Sequence, residues 1–175
     1  MRFVGQKTTI FAQKLNHIMK FLHRIIFIIA LFVLPNIVSA QAPGNPIRWR
    51  VNVRMTSPSE GEVILKAISD PGWHLYGTDI PKGGPKPTVI DLSKSKGVQF
   101  TSPVKVAPSP VKVHDDMFGI DLTWWEGNVT FRRTFKVTDP NGARIEGTIT
   151  YMGCNNKTCM PPATENISKP LPIKK

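Results

Sequence analysis

The stretch Ile47-Arg-Trp-Arg-Val-Asn-Val-Arg-Met55 alternates apolar and polar residues without a break. Trp49, Val51, Val53 and Met55 fall on one face and Arg48, Arg50, Asn52 and Arg54 on the other, the pattern of a strand with one wet side. Such a strand must cover its apolar face with another sheet. Partners are at hand, because apolar and β-branched runs recur at short spacing between turn residues. Glu62–Ser69 reads as the strand paired with the first, reached through Ser57-Pro-Ser-Glu-Gly61. Trp73–Tyr76 follows the turn Asp70-Pro-Gly72, and short strands are expected at Thr88–Leu92 and Val98–Thr101. Pro103, Pro108 and Pro110 restrict Val104–Val113 to edge strands or irregular crossings. Ile120–Glu126, Val129–Val137, Arg144–Met152 and Ile167–Ile173 complete the set, with Asp139-Pro-Asn-Gly142 read as a hairpin turn. No stretch of this part has helical periodicity, so the fold class is all-β, an antiparallel immunoglobulin-like sandwich.

Both cysteines lie in Tyr151-Met-Gly-Cys-Asn-Asn-Lys-Thr-Cys-Met-Pro-Pro162. Cys154 is placed where a strand ends, and Cys159 beyond a four-residue loop. Closing so small a ring gains only roughly 2 kcal/mol by loop entropy, little for a purely structural crosslink. A strand-end loop stiffened by Pro161 and Pro162 gives a partner's sulfur access, which thiol exchange requires. A structural disulfide, a metal site and redox exchange all stay open on the residues alone, and redox exchange accounts best for the setting.

Residues 1–40 read as an address. Ile25–Leu34 is an unbroken apolar run preceded by Lys20 and Arg24 and followed by Val38-Ser39-Ala40, the layout of a secretory signal cleaved near Ala40. Met19 is an alternative start, and no cysteine lies close enough after the run for lipid attachment. Residues 41–175 then form one domain, periplasmic or secreted. Losing the leader lowers the net charge from +11 to +6, since five of the 23 basic residues leave and all 12 acids stay. The remaining cations are scattered without an aromatic-interleaved cluster, which argues against nucleic-acid binding. An exported chain can keep a disulfide that the cytosol would reduce.

Gly72-Trp-His-Leu-Tyr76, Gly83-Gly-Pro-Lys-Pro-Thr88, His114-Asp-Asp-Met-Phe-Gly119, Trp125-Glu-Gly127 with Val129-Thr-Phe131, and above all Tyr151-Met-Gly-Cys154 with Cys159-Met-Pro-Pro162 resemble one known family. It is the N-terminal periplasmic domain of DsbD, the bacterial thiol:disulfide interchange protein. The resemblance implies an immunoglobulin-like sandwich with one redox disulfide, Cys154 with Cys159, passing electrons between thioredoxin-fold partners without a bound cofactor. It also implies that Cys159 forms the mixed disulfides and that His114, Asp115, Asp116, Met117, Phe118 and Gly119 form a cap loop over the sulfurs. Tyr76, Tyr151, Met160 and Pro161 are expected around the pair, the two tyrosines as core or rim aromatics.

The sequence departs from the family in three respects, one being that the region before Trp73 matches it in pattern only. Met117 stands where better-known members present an aromatic, and methionine can still shield a sulfur. The chain stops at Lys175, before the family's membrane-embedded and thioredoxin-like domains, so a separate membrane-embedded electron donor is expected. Asp115 and Asp116 near the sulfurs would disfavour a thiolate and Lys157 would favour one. His74 and His114, the histidines outside the leader, read as structural. The expected molecule is a monomer without a metal. Two rival classes are a copper(I) carrier using the cysteines with Met152 or Met160, and a structural or adhesive sandwich with an inert disulfide.

Overall fold

The computed structural model describes Met19 and residues 44–173. The chain divides into two compact units, Met1–Ala42 and Pro43–Lys175. Met19 apart, the expected leader lies outside the described residues, as does its cleavage point.

The alternating stretch forms β1 (Ile47–Ser57), which pairs with β2 (Glu60–Ser69) from Ile47 opposite Ser69 to Met55 opposite Gly61. The far edge of β2 pairs with the long strand β9 (Asn128–Val137). β9 carries two short strands on its other edge, β5 (Val98–Phe100) and β6 (Lys105–Ala107). Pro103 falls between these two and offers no amide to the ladder, so one edge strand is split in two.

The opposing layer contains two sheets. In one, β10 (Arg144–Tyr151) lies between β12 (Ala163–Pro170) and β4 (Val89–Asp91). In the other, the order is β11 (Gly153–Cys154), β3 (His74–Tyr76), β8 (Ile120–Glu126), β7 (Val111–Asp115). Every pairing among the described residues is antiparallel, and the architecture is the expected all-β, immunoglobulin-like sandwich.

The core fills the space between the layers. Val63, Leu65 and Ala67 of β2 and Val129, Phe131 and Phe135 of β9 meet Ile145, Ile149 and Tyr151 of β10 and Ile167 of β12, all buried. Trp49, Val51, Val53 and Met55 pack against this cluster while Arg48, Arg50 and Arg54 stay exposed, as the alternation requires. Gly147 interrupts the apolar face of β10 because a side chain there would stand 1.9 Å from the Asp91 carbonyl oxygen of β4.

Two strand readings need correction. Asp139–Gly142 does reverse the chain: the Asn141 amide donates to Asp139 Oδ1 at 2.9 Å and Gly142 has φ 75°. The strands it joins, β9 and β10, belong to different sheets, so the turn is a crossover between layers and not a hairpin. The last strand begins at Ala163 and ends at Pro170, earlier than the apolar run Ile167–Ile173 suggests, because its register is set by pairing with β10 from Tyr151 back to Arg144.

Candidate functional site

Two breaks in strand continuity create the site. At Tyr151 the chain leaves the β10 sheet, and within two residues it joins the neighbouring one: Met152 O accepts the Tyr76 amide at 3.2 Å, and Gly153 and Cys154 pair with Leu75 and His74. Gly153 permits this, since a Cβ there would lie 2.2 Å from Ile47 Cδ1 and 2.8 Å from His74 O. The chain then turns back through Asn155-Asn-Lys-Thr158. Asn155 Oδ1 accepts the amides of Lys157 at 2.9 Å and Thr158 at 2.8 Å, a side chain standing in for a turn carbonyl. Asn155 N to Thr158 O and Met160 N to Gly153 O, each 2.9 Å, flank the opposed cysteines. Opposed residues without mutual backbone bonds are the narrow pairs of an antiparallel ladder. Cys154 and Cys159 occupy such a pair, 4.0 Å apart at Cα, and form a disulfide.

The sheet of β11, β3, β8 and β7 has two apolar faces. Leu75 and Trp125 point into the main core. Tyr76, Leu122 and Cys154 form a second cluster on the other face, joined by Phe118, Trp124, Met152 and Cys159. Its cover is the loop between β7 and β8, and Asp115 holds that loop. The Asp115 carboxylate is only 5 % exposed. Oδ1 accepts the amides of Met117 at 2.9 Å and Phe118 at 3.1 Å, while Oδ2 accepts the Tyr76 hydroxyl at 2.7 Å. Gly119, at φ 66°, closes the turn with its amide on Asp115 O at 2.7 Å. Asp115 therefore links the cap to the tyrosine beneath it, and its role is to bond the loop in place. From the sequence, Asp115 is expected both in the cap loop and as a charge near the sulfurs; the bonds it makes to the loop amides and to Tyr76 are what the structure adds.

Met117 Sδ sits 3.1 Å from Cys159 Sγ. A disulfide sulfur carries no proton, so this is a sulfur–sulfur contact. Phe118 packs edge-on to Tyr76 with centroids 6.0 Å apart, inside the second cluster. Tyr76 OH is 4.0 Å from Cys159 Sγ, and burial, reinforced by its bond to Asp115, raises its pKa well above the ordinary tyrosine value. Cys154 is 1 % exposed, whereas Cys159 is half-buried. His114 and Asp116 stand exposed at the rim; His114 Nδ1 is 2.8 Å from Asp121 Oδ1, a bond that raises the histidine pKa.

Not every expected residue is at the pair. Tyr151 lies in the main core, edge-on to Trp49 at 5.6 Å, with its hydroxyl bonded to Asn45, Ile47 O and Glu165. Burial pushes its pKa up to about 12. The reason is alternation: Tyr151 shares the inward face of β10 with Ile145 and Ile149, and the cysteines come only after the chain has changed sheets. Met160 packs against the main core and, with Cys159, Asn45, Asp70 and Trp73, lines a separate cleft of about 740 Å³. Pro161 is exposed. Among the described residues no group of three or more His, Cys, Asp or Glu is placed to hold a metal ion.

His74 and Trp124 were missed as neighbours of the sulfur. Both line, with Cys154, Tyr76 and Asp115, a cleft of about 150 Å³ beneath the cap. The signal was present in part, since the spacing of His74 and Tyr76 puts them on one face of a strand.

Residues 45–170 match the family described as "Thiol:disulfide interchange protein DsbD, N-terminal". Among solved structures, the N-terminal periplasmic domain of ScsB from Proteus mirabilis is similar, with a TM-score of 0.52 and 21 % identity, over 74 % of this chain and 48 % of that one. The chain thus spans about half the length of that relative, and at such identity the likeness is one of fold. The yeast GGA1 GAE domain aligns more loosely, with a TM-score of 0.40 and 8 % identity over 72 % of this chain and 93 % of that one. No curated protein matches the chain.

Proposed function

We propose, from the premise that this chain belongs to the family of the N-terminal domain of the thiol:disulfide interchange protein DsbD, that it passes electrons between thioredoxin-fold proteins through Cys154 and Cys159. The observation that carries this reading is the unequal burial of two bonded sulfurs beneath a loop of side-chain contacts: Cys154 is 1 % exposed, and Cys159 is half-buried under Met117. A thiolate must approach along the sulfur–sulfur axis. The outer sulfur, Cys159, receives it and the inner one, Cys154, leaves. Met117 and Phe118 keep small thiols from Cys159 until a partner supplies replacement contacts and displaces the loop. The reaction takes place after export, once a leader ending near Ala40 has been removed, with a membrane-embedded electron donor.

Trapping tests the assignment. With Cys154→Ser, the mixed disulfide on Cys159 cannot be resolved, so a thioredoxin-fold partner lacking its own resolving cysteine is captured as a stable adduct after oxidative coupling. Cys159→Ser gives little adduct. Equal capture by both variants, or capture through Cys154 alone, overturns this assignment of roles. If no thioredoxin-fold protein exchanges with the wild type, the disulfide is an inert crosslink.

A further inference from the structure

The cleft behind the disulfide contains a buried imidazole for which the exchange reaction has so far no use. His74 is 6 % exposed and its Nε2 is buried without a hydrogen-bond partner. Buried polar atoms are nearly always satisfied, so an orphan nitrogen calls for a reason. β3 runs between β11 and β8, and His74 stands directly opposite Cys154 on one side and Glu126 on the other. Directly opposed residues of an antiparallel pair project from the same face with Cβ atoms about 4.5–5.5 Å apart. Consistent with this, His74 and Cys154 line one cleft. The ring is also held in place, stacked on Trp124 with centroids 3.8 Å apart and edge-on to Tyr76 at 5.2 Å.

Cys154 needs a proton acceptor. To close the disulfide it must act as a thiolate, yet burial in apolar surroundings opposes ionisation of a thiol and leaves water no direct access to it. Several groups share the imidazole's surroundings: Asp115 from β7, Glu126 from β8, Tyr76 from its own strand, and His114 and Asp116 from the rim. Tyr76 already donates its hydroxyl proton to Asp115, and Asp115 also receives the two cap amides. Tyr76 and Asp115 are thus committed, His114, Asp116 and Glu126 are exposed, and the buried Nε2 of His74 has no partner.

We propose that His74 is the proton acceptor for Cys154, an inference that rests on the exchange function proposed above. In the mixed disulfide between Cys159 and a partner, the Cys154 thiol gives its proton to His74. The thiolate's electron pair forms the bond to Cys159 Sγ, the bond from Cys159 to the partner sulfur breaks, and the partner leaves with that pair as a thiolate. Two electrons have then passed from the cysteine pair to the partner. In the reverse direction the imidazolium returns the proton to the departing Cys154. Acceptance requires a neutral ring, and burial favours one by lowering the His74 pKa against the opposing pull of Asp115 and Glu126.

The reduced protein mixed with 5,5′-dithiobis(2-nitrobenzoate) tests this without any cognate partner. The first thionitrobenzoate released reports attack by Cys159, and the second reports closure by Cys154. At pH 7, His74→Phe slows the second phase by about 100-fold, leaves the first within about twofold, and the gap closes at high pH where the thiol ionises unaided. His74→Gln, a polar replacement that is a far weaker base, follows His74→Phe. A second phase that is unchanged, or slowed by one constant factor at every pH, overturns the proposal. Should neither variant fold, the wild type decides: its second-phase rate inflects at the midpoint of the His74 ring titration seen by NMR, and a rate with no inflection there overturns it. Failure of exchange with every thioredoxin-fold protein would instead sink the proposed function, and this readout would still stand apart from it.

Discussion

His74 and His114 lie on the same small sheet and titrate in opposite senses. Burial lowers the His74 pKa below the ordinary 6.5, so between its folded value and 6.5 the unfolded chain binds more protons and stability rises with pH. The bond to Asp121 raises the His114 pKa above 6.5, so the folded chain holds the proton longer and stability falls with pH from 6.5 up to that raised value. Together they give a stability maximum near the ordinary histidine value. Denaturant midpoints measured from pH 5 to 8 should show it; His74→Phe removes the arm below the maximum and His114→Gln the arm above. The His114 arm is the smaller and weakens with salt, because the pair is exposed. A maximum unaffected by either variant would show that other groups set it. At this scale the cysteines, the segment His114–Gly119 and Tyr76 could each be singled out from a local string of residues. Tyr151 lies in the main core and away from the pair, and the setting of His74 beside Cys154 was missed, because both depend on the chain's change of sheet at Met152, which no local pattern encodes.

The cap behaves as an element of its own, a turn held by one carboxylate and seated by two side chains. Met117 touches the outer sulfur and Phe118 packs against Tyr76. Shortening both to alanine removes the seat while leaving the Asp115 bonds to the backbone amides. Reduction of the disulfide by dithiothreitol should then quicken about tenfold, a barrier change near 1.4 kcal/mol, with exchange to a thioredoxin-fold partner little altered. Unchanged dithiothreitol kinetics would remove Met117 and Phe118 from any shielding role. Strands were largely legible: β1, β2, β8 and β9 fall within two residues of their expected limits because each shows alternation or a β-branched run bounded by turns. Partners were less so. Asp139–Gly142 announces a reversal, but β9 already has β2 on one edge and β5 and β6 on the other, so β10 had to go to the opposite layer. A turn sequence records that the chain bends, and edge occupancy is settled only by the whole sheet.

For the whole molecule, the disulfide closes a small ring at the end of a hairpin whose arms, β10 and β12, are paired from Tyr151 opposite Ala163 to Arg144 opposite Pro170. The main core contains neither cysteine. Reduction should accordingly lower the unfolding free energy by only about 2 kcal/mol and leave the far-ultraviolet circular dichroism unchanged. A much larger loss would mark the bond as a structural crosslink. The same arms have a kinetic meaning. When the bond opens, the ladder still holds Cys154 and Cys159 face to face, and each thiol meets the other at an effective concentration far above that of any small thiol in solution. The entropy of bringing the sulfurs together has been met in advance by the fold, and the reduced pair is a loaded spring catch: an adduct at Cys159 finds its second sulfur already waiting, and a partner is released before it can become a permanent attachment.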